Sequence, residues 1–233
     1  MTQTVRDTPE SSSHAGTAAV RGTEALSGIE AVQRGGQAAL AEVFMGHRER
    51  LRRMVQLRMD RRVVGRVDAS DVLQETFLDA SRQLANYLAD PPMSLFLWLR
   101  FLTGQRLMAI HRKHLGAQKR DARQEVTLHR PAMPDADSMS LSCGLLGQMT
   151  SPSMAAVRLE LQVCLQQTVD GLEPLDREIL ALRHYEELTN QEAAEELGIT
   201  TAAASKRYIR ALERLRRELR KAPGLLHDEW HDE

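Results

Sequence analysis

The sequence predicts an all-α protein, two helical domains joined by a flexible linker, with a helix-turn-helix closing the second. Three observations carry that expectation. Apolar residues recur at three- and four-residue spacing over most of the chain, the period of a helix with one buried face. Strand-like alternation of β-branched residues appears nowhere. A stretch rich in Pro, Gly and Ser, His129 to Ser153, separates two blocks of helical pattern.

Taken in order, residues 1–27 are mostly Ser, Thr, Gly and Ala with hardly any large apolar side chain, and are expected to form a disordered tail. Leu40, Val43, Phe44, His47, Leu51, Met54 and Val55 then share one face of a first helix, on which His47 is a packed residue rather than a ligand. A second helix begins near Ser70, with Val72, Leu73, Thr76, Phe77, Ala80 and Leu84 inward. Pro91 and Pro92 interrupt the chain before a third helix, from about Ser94 towards Arg120. These three make a domain over 28–123. Residues 124–153 read as the linker. Helical pattern resumes with Val157, Leu161, Cys164, Leu165 and Thr168, and again after Pro174, a residue suited to a helix's first turn.

The segment from Leu172 to Leu219 is the most informative in the chain. Thr189 and Glu192 have capping-box spacing, in which hydroxyl and carboxylate satisfy the free N–H groups of a helix start. Gly198 supplies a residue that tolerates positive φ at the following turn. From Thr201 a second helix buries Ala204, Tyr208, Ala211, Leu212 and Leu215, and Ala194 facing Ala204 lets the two helices cross closely. Between Thr200 and Pro223 there are eight Lys/Arg and two Glu, a balance of +6. Between Leu175 and Leu197 there are seven acids and two Arg, a balance of −5. A helix meant only for solvent would interleave its signs, so a short helix, a Gly turn and a basic helix point to a DNA major groove. The domain runs over 154–222, and 223–233 is an acidic tail, solvated or folded back on the basic helix.

Charge segregation hides in an overall balance of −1. Cys143 and Cys164 form no CxxC pair, which fits a reducing compartment and gives no metal site. The N-terminus has no apolar core of the signal-peptide kind, and the apolar run Met93–Leu102 is short and broken by Arg100, so the chain is expected to be cytoplasmic, with no membrane contact. His111 and His114 are three apart without an HExxH pattern or third ligand, and no cofactor, metal or catalytic residue is expected.

Two features of the first domain need a function. Asp71, Gln74, Glu75 and Leu78 share an outer helix surface, a solvated face or a partner-binding one. The helix from Leu95 opens aromatic (Phe96, Trp98, Phe101) and ends basic (Arg100, Arg106, Arg112, Lys113, Lys119, Arg120, Arg123), as a single-stranded nucleic-acid platform does. Taken singly, Trp98 and Phe101 are each better explained as core.

The blocks "DASDVLQETFLDA" (68–80), "LFLWLRFLTGQRL" (95–107), "LEPLDREILALRHYEELTNQEAAEELGIT" (172–200) and "SKRYIRAL" (205–212) together resemble a small sigma factor of bacterial RNA polymerase, the extracytoplasmic-function branch of the sigma-70 family. The resemblance implies that Asp71, Gln74 and Glu75 dock on the clamp of the largest subunit of core RNA polymerase. It implies that Trp98, Arg100, Arg106, Arg112 and Lys113 serve the −10 element and its single strand, and that Ser205, Lys206, Arg207, Arg210 and Arg214 serve the −35 element. Promoter DNA, double- and single-stranded, is then a partner, and an anti-sigma factor a further candidate. The chain departs from the family at Ala202, Ala203 and Ala204, where Gly-Thr-Val is frequent, at Gln105, where Asn is common, and at Ser205, often basic. These bear on promoter choice. The competing readings are a stand-alone helix-turn-helix regulator, which leaves the first domain unexplained, a metal-dependent hydrolase built on His111 and His114, and a protein-only adaptor.

Overall fold

The computed structural model describes residues 13–115, 133–149 and 155–221. Helix α1 spans Ser13–Arg58, with a break at Gly36, whose φ of 58° and ψ of −135° are not helical. Its start lies inside the stretch expected to be a disordered tail. Residues 13–27 are helical instead, in keeping with the helix preference of Ala15, Ala18, Ala19 and Ala25; residues 1–12 lie outside the described residues.

Helix α2 (Ala69–Ala89) is capped by Asp68, whose carboxylate accepts the Ser70 N–H, and α3 spans Leu95–Leu115. The three pack as a bundle around Leu40, Leu51, Val55, Leu73, Leu95, Leu97 and Leu99. Phe44 meets Phe77 edge-on at 5.3 Å between ring centres.

The expected linker is the main correction to the fold. Ser138–Met149 forms a helix, α4, burying Leu141, Leu145 and Leu146. Those leucines stand at helical spacing among glycines and serines, so composition suggested a tether where side-chain volume builds a packed helix. Gly144 has a packing role: a Cβ there would overlap the Tyr185 ring. Residues 116–132 and 150–154, and with them Lys119, Arg120 and Arg123, lie outside the described residues.

Helix α5 (Ala155–Asp170) packs on α4, and α6 (Pro174–Leu180) opens with Pro174 in its first turn. The chain then widens into a π-helical turn, Ala181–Tyr185. Glu187 adopts a φ of 57°, in the left-handed region where a non-glycine residue is uncommon, and reverses the chain into α7 (Asn190–Leu197). Gly198, at φ 64°, turns it again into α8 (Thr201–Leu219), capped by Thr200. The capping box is formed: Thr189 Oγ1 accepts from Glu192 N–H at 3.1 Å and Glu192 Oε2 accepts from Thr189 N–H at 2.7 Å.

The two helical units are packed against each other. One apolar cluster runs from the α1–α3 core into Ile179, Leu182, Leu188, Ala193 and Ala194 of the second unit, and another joins Leu57 to α4, α5 and α8. Among the described residues no helix is long and apolar enough to cross a membrane.

Candidate nucleic-acid interface

Helix α8 is strongly one-sided. Ala204, Ala211, Leu215 and Leu219 are buried, while Lys206, Arg210, Arg216 and Arg217 are exposed. The close crossing of α7 and α8 rests on Ala194 and Ala204, 2% and 0% exposed. Ser205 is half-buried near the start of α8, as is Arg214, whose guanidinium lies beside Gly171. Arg207 is already engaged: its Nη1 donates to Asp176 Oδ1 at 2.7 Å and approaches Glu173 Oε2 at 3.4 Å. That bond ties α8 to the start of α6 and leaves Arg207 less available than its neighbours. Tyr208 hydrogen-bonds His184 at 3.1 Å, fixing α8 against the π-helical turn.

On the opposite unit Asp71, Gln74 and Glu75 are exposed together on the outer side of α2, with Leu78, 42% exposed, one turn on. Glu75 lies 3.6 Å from Arg106 of α3, and Arg106 also pairs closely with Asp79. Arg112 and Lys113 are exposed at the end of α3. With Gln105, Arg106, Met108, Ala109 and Asp79, Arg112 lines a shallow open depression.

Trp98 and Arg100 require a correction. Trp98 is 6% exposed and stacks on Tyr87, with ring centres 4.3 Å apart and planes 16° from parallel. Arg100 is 1% exposed, with Nε 2.7 Å from Glu186 Oε2 and Nη1 2.7 Å from Glu196 Oε1. In this arrangement neither side chain can reach a strand of DNA. Leu95 to Arg100 are buried on every side of the helix, so no period marks either position; the density of aromatics and cations suggested a surface because sequence alone does not show what packs there.

Sequence reasoning missed the residues between the units. Arg58, 2% exposed, donates to Glu186 Oε1 at 2.7 Å, pairs closely with Glu178, and donates to the Pro134 carbonyl at 2.8 Å. Arg50 reaches the Glu187 carbonyl at 3.0 Å and Glu192 Oε2 at 3.2 Å, and lies 3.6 Å from the centre of the Phe96 ring. Arg53 meets Glu187 at 2.6 Å. The acid excess between Leu175 and Leu197 is therefore the partner of arginines on α1 and α3. That excess was legible; its destination was not.

Electrostatics follow burial. Desolvation alone would raise the Glu186 carboxyl, but Arg100 and Arg58 overcome it and hold it below the usual carboxylate range. His47, against the Phe96 ring at 4.9 Å, is lowered to about 4 by burial and by Arg50. His111, considered above as a metal ligand, is instead an acceptor: its Nε2 takes the Asp60 N–H at 3.1 Å, and burial lowers its pKa. Among the described residues no cluster of three or more His, Cys, Asp or Glu is placed to hold a metal ion.

Residues 169–217, from the end of α5 through most of α8, match the family described as Sigma-70, region 4. The chain is 29% identical over 151 residues to the probable RNA polymerase sigma factor RfaY of Xanthomonas campestris pv. campestris, a match covering 65% of this chain and 34% of that protein. It is 26% identical over 192 residues to the RNA polymerase sigma-H factor of Pseudomonas aeruginosa, covering 82% of this chain and 91% of that one. The chain is thus similar to sigma-70 factors, through region 4 in its second unit and more weakly over most of its length. It spans about a third of the length of RfaY and most of the length of the sigma-H factor. The solved structure of CnrH in complex with the cytosolic domain of CnrY is also similar, with a TM-score of 0.45 and 20% identity, covering 84% of this chain and 95% of that one.

Proposed function

We propose that this chain is an RNA polymerase sigma factor of the extracytoplasmic-function type, a dissociable subunit that binds core polymerase, directs it to promoters and carries out no covalent chemistry itself. The observation that carries this reading is the basic face of α8, held outward by a capped α7 and a left-handed Gly198, within the segment that matches sigma-70 region 4. Lys206 and Arg210 are the candidates for base edges of the −35 element, with Ser205 and Arg214 beside them. Arg207 contributes less, being paired with Asp176. A bidentate base contact adds roughly 1–3 kcal/mol of discrimination, while phosphate contacts add affinity that falls steeply with salt.

In the same reading Asp71, Gln74 and Glu75 dock on the clamp of the largest polymerase subunit, a role favoured by their joint exposure on a rigid helix. Arg112 and Lys113, with Arg106 after exchange of its Asp79 and Glu75 partners, serve the −10 region. The deciding experiment is transcription in vitro with purified core polymerase and mapped start sites. The expected result is new, specific starts that depend on the chain. An Asp71→Ala/Glu75→Ala double variant is expected to retain the fold and lose core binding in a pull-down; normal binding would remove the docking assignment.

A further inference from the structure

We propose that the loop joining α1 to α2, residues 59–68, is a further nucleic-acid contact: a rigid, arginine-bearing turn that grips DNA phosphates bordering the stretch held by the end of α3. This rests on the sigma-factor reading above. From Arg61 to Arg66 the sequence is Arg-Arg-Val-Val-Gly-Arg, three cations and no acid. All three arginines are exposed, as is Val64 between them, at 58%.

The loop is built to hold one shape. The Asp60 carboxylate accepts the Arg62 N–H at 2.9 Å and two guanidinium bonds from the same residue at 2.9 and 2.8 Å. Met59 and Val63 anchor it in the core at 5% and 0% exposure. The Arg66 N–H returns to the Val63 carbonyl at 3.0 Å, and Gly65, at φ 87°, takes the left-handed turn that glycine tolerates. A loop already fixed in shape loses little freedom when it binds.

Its position adds to a surface already described. The Asp60 N–H donates to His111 Nε2 at 3.1 Å, so the loop is fastened beside the last turn of α3, where Arg112 and Lys113 are exposed. The arginines of the loop and the cations of α3 therefore share one end of the bundle. The nearby acids are engaged: Asp60 with Arg62, Asp137 with Arg61 at 3.2 Å, and Asp68 with the Ser70 N–H.

Arg66 is the most telling residue. It makes no ion pair among the described residues, and it precedes the cap of α2 by two positions, where the positive end of the helix dipole opposes a cation. Nothing within the fold favours a guanidinium there, whereas an external anion would. Several separate cations on one end of the bundle match a chain of phosphates, which offers one charge after another, better than a single small anion. The polymerase-docking face begins nearby at Asp71, so a protein contact is the alternative to be separated.

The test uses holoenzyme reconstituted from core polymerase and the full chain. Arg66→Ala is expected to leave core binding and the urea midpoint unchanged. It is expected to reduce the slope of log promoter affinity against log salt by about 0.7 for a single-strand phosphate or about 0.9 for a duplex one. Arg66→Glu is expected to weaken promoter binding at low salt at least about tenfold. Two templates tell the sources apart, one ending upstream of the −10 element and one carrying the −10 segment single-stranded. Duplex phosphates give the effect on both, strand phosphates only on the second. A photo-cross-linking benzoylphenylalanine in place of Val64 is expected to attach to promoter DNA. Attachment to a polymerase subunit alone would overturn the loop's role while leaving the sigma-factor reading intact, as would undiminished binding and an unchanged salt slope for both Arg66 variants. Failure of the unmodified chain to initiate at promoters would instead overturn that reading, and the loop's role with it.

Discussion

Two sets of basic residues, similar in sequence, meet opposite fates in this molecule. Arg50, Arg53, Arg58 and Arg100 lie on helices of the first unit and turn towards carboxylates of the second, with Arg58 and Arg100 almost wholly removed from water. Lys206, Arg210, Arg216 and Arg217 lie on α8 and stay in water. Neither residue type nor local helix geometry separates them. What separates them is the surface opposite: acidic and close in the first case, absent among the described residues in the second. A buried guanidinium is held by its own chain's glutamates, whereas an exposed row of cations retains its capacity for phosphates.

The comparison is broken most severely at Glu186. Glu186→Ala would leave two buried guanidinium groups without their shared carboxylate, and the expected loss of stability to urea is about 3–5 kcal/mol. Arg210→Ala, on the exposed row, should change the same measurement by no more than about 0.5 kcal/mol. Similar losses for the two would mean that the seam is wet and the contrast false.

A smaller effect comes from pH. His47 has a folded pKa of about 4, below its ordinary 6.5, so the folded state favours the neutral ring. Its contribution is fully present above the ordinary value and is lost as pH falls from about 6.5 towards 4. The chain should be about 2 kcal/mol less stable at pH 5 than at pH 7 from this group alone. A His47→Gln variant should show that much less dependence on pH in chemical denaturation. An unchanged slope would place the ring in water.

Below that stands the cap of α7. Thr189→Ala removes the acceptor for Glu192 N–H and should cost about 1 kcal/mol, read as a lower melting temperature. The least effect on the fold, and the sharpest on the proposed activity, belongs to Lys206→Ala. Stability should be unchanged, whereas the salt dependence of binding to a −35 duplex should weaken by a slope of about one if Lys206 contacts a phosphate. If it reads a base instead, discrimination at one position should relax and the slope should hold.

The helix-turn-helix was legible because its signals are local. A capping box, a glycine at the turn and two alanines at a crossing each act within a few residues, and all recur in the structure as expected. The exposed trio Asp71, Gln74 and Glu75 was legible from helical period. Trp98 and Arg100 were misread because Leu95 to Arg100 are buried on every side, and no helical period shows that a second unit covers that turn. The helix at Ser138–Met149 was missed because serine and glycine content outweighed Leu141, Leu145 and Leu146. The notion that the acidic end at 227–233 folds back concerns residues outside those described.

The sequence by itself determined the helical class, the helix-turn-helix, its turn chemistry and the segregation of charge, since each depends on interactions within a turn or two of chain. Only the tertiary structure decided which charges would find each other. Arg58 and Glu186 are 128 residues apart in the chain and 2.6 Å apart in space. No local rule joins them. Their pairing follows from how two apolar faces meet, and the closeness of that meeting is what removes water and makes the charges matter.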